Sequence, residues 1–131
     1  RPVVTFREPK SRSAETTFDE DTRDWQELAR VLARLAKRVA DELREEGYLA
    51  RTIGIKLRYS DFTRITRART LRAPTDDPLA IRRAAFECLG RVELKKKVRL
   101  LGVKLSDLHR AGEAREDGAG QPDLLGDLPA P

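Results

Sequence analysis

Between Arg51 and Arg72 the chain places Arg51, Lys56, Arg58, Arg64, Arg67, Arg69 and Arg72 against a single acid, Asp61. Arginine presents a planar fork of N–H donors that matches phosphate oxygens, and lysine adds a compact point charge, so charge segregated in this way suits the holding of polyanions. Threonines and a glycine stand between the bases, offering hydroxyls and room for close approach. A solvated strand edge kept basic against aggregation is the plainer explanation, but one or two charges suffice for that. The polar positions of the segment carry no aromatic residue, so stacking of unpaired bases is not expected, whereas contact with a duplex backbone, without readout of sequence, is.

Catalysis finds little to work with. The sole histidine, His109, has no nucleophile or cysteine placed beside it by a recognisable motif, which argues against a hydrolytic triad. The acid runs at 19–21 and 76–77 each stand just before an expected helix, where carboxylates cap the first turn and complement its dipole. No Walker loop, dinucleotide fingerprint or zinc spacing is present. Cys88 falls on an apolar helical stripe and reads as core; Trp25 reads as a staple at the start of a helix rather than a stacking platform. The expected catalytic and metal-ligating sets are therefore empty.

The rest of the composition bounds the problem. The chain has 131 residues, the size of one domain, with 37% charged residues, only 5% aromatic residues and a net charge of +5. Such a balance favours nucleic acid, an acidic membrane surface or an acidic protein as partner. One cysteine rules out an internal disulfide and suits a reducing compartment. No apolar run approaches the ~20 residues of a membrane span and no signal-peptide pattern opens the chain, so a cytoplasmic protein is expected. The first residues are "RPVV" and methionine is absent throughout, as expected of a fragment of something longer.

What must position the bases is a set of six elements. Thr17 and Phe18 suggest a first strand after a proline-rich linker. Trp25, Leu28, Leu32, Leu35, Val39 and Leu43 recur at helical spacing, with Asp21, Thr22 or Asp24 as cap and Gly47 as stop. Ile53, Ile55, Leu57 and Tyr59 alternate with Thr52, Gly54, Lys56 and Arg58, so one face of this strand is core and the other basic. Ser60 and Asp61 predict a tight turn into a second strand, "FTRITRARTL". There Arg67 and Arg69 share the parity of Ile65, so either a bulge shifts the register or the far end of the strand outruns the core. Asp76 or Asp77 followed by Pro78 opens a second helix carrying Leu79, Ile81, Ala85, Cys88 and Leu89, with Gly90 near its end. "KVRLLGVKLSDL" is the last strand, with Gly102 a candidate bulge. The β-α-β-β-α-β order predicts an α+β sandwich of ferredoxin-like type: a four-stranded antiparallel sheet with two helices on one face, followed from His109 by a disordered C-terminal tail.

Four blocks in order, "KSRSAETTF" at 10–18, "RTIGIKLRYSDFTRITRARTL" at 51–71, "PTDDP" at 74–78 and "VRLLGVKLSDL" at 98–108, resemble the little-finger domain of Y-family translesion DNA polymerases, bacterial members above all. The resemblance covers residues 10–108. It implies a non-catalytic DNA-binding domain, with 1–9 as a linker from a polymerase core that would precede Arg1 and 109–131 as a tail. In that family the sheet holds primer-template DNA by its phosphates. By position, the implied DNA contacts are Ser11, Arg12, Ser13, Lys56, Arg58, Thr66, Arg67, Arg69, Arg99 and Lys104. Leu100 stands where some relatives have a second base, and Gly54 where a threonine is common, which weakens those two contacts. No cofactor is implied for this part; Mg belongs with the acidic ligands of the core.

In the tail, "QPDLL" is similar to the sliding-clamp-binding motif of bacterial polymerases, with Leu124 and Leu125 as apolar anchors, Gln121 setting register and Asp123 as the acidic member. Pro122 replaces the usual Leu and Leu125 the usual Phe, a change toward modest affinity. The expected partners are thus duplex primer-template DNA and the sliding clamp, with a monomeric fragment and no membrane. A free-standing RNA- or ribosome-binding α/β protein, or a purely protein-binding module, would fit the same sandwich.

Overall fold

The structure is a computed structural model that describes residues 11–111. Six elements follow in the expected order: β1 (Ser11–Thr22), α1 (Trp25–Glu46), β2 (Tyr48–Tyr59), β3 (Arg64–Thr75), α2 (Pro78–Gly90) and β4 (Val98–Arg110). The expected linker over 1–9 and the clamp motif at Gln121–Leu125 lie outside the described residues.

Both helices start where their caps dictate. The Asp24 carboxylate accepts the Gln26 N–H at 2.9 Å, and Asp77 accepts the Leu79 N–H at 3.0 Å, with Pro78 in the first turn where its missing N–H costs nothing. Gly47 ends α1 in the left-handed region, φ 81°, and its N–H returns to the Arg44 and Leu43 carbonyls. The α1 stripe of Leu28, Leu32, Leu35, Val39 and Leu43 is buried, as are Ile81, Ala85, Cys88 and Leu89 of α2. Trp25 and Leu79 are not. They stand at the first turns of their helices, 45% and 63% exposed, off the stripe that meets the sheet.

The sheet order is β1-β4-β2-β3, antiparallel throughout. Each helix joins two strands that run the same way, so another strand must enter between them; here β4 divides β1 from β2. The layers and element order are those of a ferredoxin-like sandwich. The strand order is not, because there the first and third strands form the central pair and here the second and fourth do. Ile53, Ile55 and Leu57 of β2 and Leu101, Val103 and Leu105 of β4 form the floor of the core, each fully or almost fully buried. Each buried Leu or Ile side chain contributes about 1.5–3 kcal/mol from the hydrophobic effect.

One open alternative is decided and three details depart from expectation. β3 pairs with β2 without interruption from Arg64↔Arg58 to Thr70↔Thr52, so no bulge separates Ile65 from Arg67 and Arg69, and the register shifts only beyond Thr70, before Thr75↔Ala50. β4 is regular through Gly102; its irregularity falls at Arg99, between Tyr59↔Val98 and Arg58↔Leu100. The β2–β3 connection is longer than a two-residue turn and puts Phe62 at φ 72°. β4 also continues past the expected boundary, pairing His109 with Leu49 and Arg110 with Tyr48. Among the described residues no helix is long and apolar enough to cross a membrane.

Candidate nucleic-acid interface

Directly paired residues of an antiparallel ladder share a face, so the register sorts every side chain. Ile53, Leu57 and Leu101 point to the helices, which leaves the alternate positions on the outer face. Across the sheet these form rows: Thr17, Leu100, Arg58 and Arg64; Glu15, Gly102, Lys56 and Thr66; Ser13, Lys104, Gly54 and Ala68; Ser11, Ser106, Thr52 and Thr70. The face is polar, hydroxylated and basic. Within these rows Glu15 is the one acid.

Two glycines keep the middle of this face low. A Cβ on Gly54 would lie 3.2 Å from the Arg67 carbonyl oxygen, and one on Gly102 would lie 3.1 Å from the Glu15 Cβ. Both positions therefore favour a residue without a side chain. The result is a shallow trough of about 490 Å³ with Ser13, Lys56, Thr66 and Lys104 on its rim. Small floor and cationic rim together admit a phosphate backbone close to the strand amides.

Charge on the face is distributed unevenly. Lys56 Nζ lies 2.9 Å from Glu15 Oε1, so that cation is already partnered. Arg58, Arg64 and Lys104 form no ion pair among the described residues. Arg58 Nε is buried and without a hydrogen-bond partner, a condition that costs about 1–3 kcal/mol when nothing relieves it. At the end of the sheet, Asp61 anchors the β2–β3 loop. The Lys96 ammonium, at 2.6 Å, and the Thr63 hydroxyl and N–H hold its carboxyl well below the usual carboxylate range. This loop carries Phe62, 58% exposed, with the Arg99 guanidinium 4.9 Å from its ring centroid.

Residues 9–124 match the model of the impB/mucB/samB family C-terminal domain. The chain belongs to that family. Among curated relatives, it is 42% identical over 132 residues to the DNA polymerase IV of Streptomyces coelicolor, a match covering 93% of this chain and 28% of that protein. It is 48% identical over 99 residues to the DNA polymerase IV of Methanoculleus marisnigri, covering 76% of this chain and 28% of the relative. The chain thus spans less than a third of the length of these relatives. Its fold is that of the little-finger domain. The little finger domain of PolIV, solved in complex with the beta-clamp processivity factor, superimposes with a TM-score of 0.60 at 22% identity, covering 73% of this chain and 86% of that one. Dbh DNA polymerase in its insertion ternary complex superimposes with 0.59 at 16% identity, covering 73% of this chain and 28% of that one.

In this little finger the residues expected to contact DNA divide into two groups. Ser11, Ser13, Lys56, Arg58, Thr66 and Lys104 meet on the outer face. Arg12, Arg67 and Arg69 sit on the helix side, because Arg12 pairs with the inward Leu105, Arg67 with Ile55 and Arg69 with Ile53. Arg12 is bound to Glu46 of α1 and Arg69 to Glu87 of α2, while Arg67 donates to the Thr66 carbonyl at 2.7 Å. Arg99, at the β4 irregularity, lies over Phe62 instead of in the rows. Arg64 joins the outer face without having been expected there. Its signal was present in the hairpin, since it shares the parity of Thr66 and lies opposite Arg58 once the strands pair.

Proposed function

We propose that this domain holds primer-template DNA for a lesion-bypass polymerase, through phosphate contacts on the outer face of its sheet, and tethers that polymerase to the sliding clamp. The observation that carries the reading is the outer face itself: Arg58, Arg64 and Lys104 are free of carboxylate partners among the described residues, Lys104 lining a trough that Gly54 and Gly102 keep open and the two arginines standing one row beyond it. Such a face binds backbone and ignores base identity, which suits a template with damaged bases. The relatives are DNA polymerases by name, and the family's C-terminal position fits a holding role beside a catalytic core.

Nucleotidyl transfer, and the Mg it uses, belong in this reading to the remainder of the polymerase. Among the described residues no group of three or more His, Cys, Asp or Glu could hold a metal ion. The tether is Gln121, Asp123, Leu124 and Leu125, a short linear motif whose docking raises the local concentration of the enzyme at the primer end. The fold match to a little finger solved with a beta-clamp supports this assignment.

The test is fluorescence anisotropy of this chain with a labelled primer-template duplex across a salt series, beside a structured RNA of equal length. Tighter binding to the duplex with a steep salt dependence is the expected result. Preference for the RNA would favour a ribosome- or RNA-binding role, and absence of binding to either would remove the DNA-holding reading.

A further inference from the structure

We infer that Arg58 and Arg64 form one shared seat for a single backbone phosphate of the duplex, an inference that rests on the duplex-holding reading and deepens it. The two residues are Cα partners in the β2–β3 ladder on the uncovered face. Side chains so placed start about 4.5–5.5 Å apart at Cβ, and like charges directly opposite one another repel. The neighbouring positions of their row do nothing to relieve this, since they are Leu100 and Thr17. Glu15, the one acid among the paired rows, lies in the next row and is taken up by Lys56 at 2.9 Å. Neither guanidinium meets a carboxylate among the described residues.

Arg58 also carries a buried Nε–H that donates to nothing. A buried donor without an acceptor is uncommon enough to require a reason, and an anion that draws the side chain outward supplies one. A phosphodiester has two unesterified oxygens. One fork can take each, so a single phosphate neutralises the repulsion and gives Arg58 Nε an acceptor. The cations elsewhere on the sheet lack this arrangement: Lys56 has its acid, Lys104 stands alone opposite Ser13 and Gly54, and Arg12 and Arg69 are bound to helix carboxylates on the other side. The seat also fixes one point of the duplex against the loop end of the sheet, beside Phe62.

The test is a double-mutant cycle on this chain, with Arg58→Gln, Arg64→Gln and the double variant, each titrated with the labelled primer-template duplex across the salt series. Loss of one phosphate contact flattens the slope of log K against log salt by about 0.9. If the seat is shared, either arginine alone still holds the phosphate, so each single variant keeps most of the slope, and the double variant flattens it by that amount and loses about tenfold in affinity. Single variants that each flatten the slope by about 0.9, with the double variant flattened by twice as much, would mean two separate phosphates and overturn the shared seat. An unchanged slope in the double variant of a wild type that binds steeply would overturn the seat while leaving the duplex-holding reading intact; a wild type that does not bind would overturn both. A second readout needs no DNA. In low salt Arg64→Gln should raise the thermal midpoint of the free chain by relieving the opposed charges, and a midpoint that does not rise would contradict the pairing on which the seat depends.

Discussion

Replacing Glu15 by Gln should strengthen duplex binding, a direction opposite to that of most substitutions at an interface. In the free domain the Glu15 carboxylate occupies the Lys56 ammonium at 2.9 Å, which is the position a phosphate oxygen would take. Both side chains are about half exposed, so the pair is worth only about 0.2–1 kcal/mol to stability, and the variant stays folded. Its removal releases one cation and deletes the one acid of the paired rows. One extra phosphate contact should steepen the salt slope by about 0.9, and a competing interaction of about 1 kcal/mol removed corresponds to roughly fivefold tighter binding. Anisotropy titrations between roughly 50 and 200 mM salt span a range in which such slopes are large. Glu87→Gln makes the same change in net charge but frees Arg69 on the helix side, and serves as the control. Equal gains from Glu15→Gln and Glu87→Gln would contradict a role for the Glu15–Lys56 pair, since net charge alone would then account for the effect. So would unchanged or weaker binding in Glu15→Gln.

Gly102→Val, with its Cβ forced to 3.1 Å from Glu15 and its branches into the trough, should weaken duplex binding more than it lowers the urea midpoint; binding that is unaffected would remove the trough from the account. Leu124→Ala with Leu125→Ala should abolish capture by the sliding clamp, read by surface plasmon resonance, and leave duplex affinity at the wild-type value. Leu32→Ala, at a position with no exposure, should cost about 2–5 kcal/mol in denaturant unfolding. Because the folded carboxyl of Asp61 titrates below its unfolded value of about 3.9, its contribution to stability is complete above that pH and is lost as the pH falls through the lower folded value. Asp61→Asn should therefore lower stability at pH 7 and flatten its decline in acid, measured as urea midpoints from pH 7 downward.

The legible parts of the fold were those decided locally. Asp24, Gly47, Asp77 and Pro78 bound their helices through hydrogen bonds and backbone angles that each residue imposes within one turn. The strict alternation of Ile53 to Tyr59 fixed both faces of β2, so Lys56 and Arg58 were placed correctly. What depended on a partner strand was not legible. Arg67 and Arg69 look like interface residues by composition, and only the unbroken pairing with Ile55 and Ile53 turns them toward the helices. Arg12 is turned to the same side through its pairing with Leu105. Gly102 reads as a bulge, but its lack of a side chain serves the close approach of β1, and the irregularity moved to Arg99. Leu79 counts as apolar in any periodic scan, yet lies on the solvent side of the first turn of α2. The strand order, with β4 between β1 and β2, is a global choice among packings with the same local pattern.

Whether the outer face of the sheet is the DNA-holding surface can be read by amide chemical-shift mapping of the chain as primer-template duplex is added. The largest changes should fall on Gly54, Lys56, Arg58, Arg64, Thr66, Gly102 and Lys104, with α1 and α2 unaffected. Changes concentrated instead around Arg69, Arg83 and Glu87, in the cleft between β3 and α2, would place the duplex on the helix side and contradict the outer-face placement.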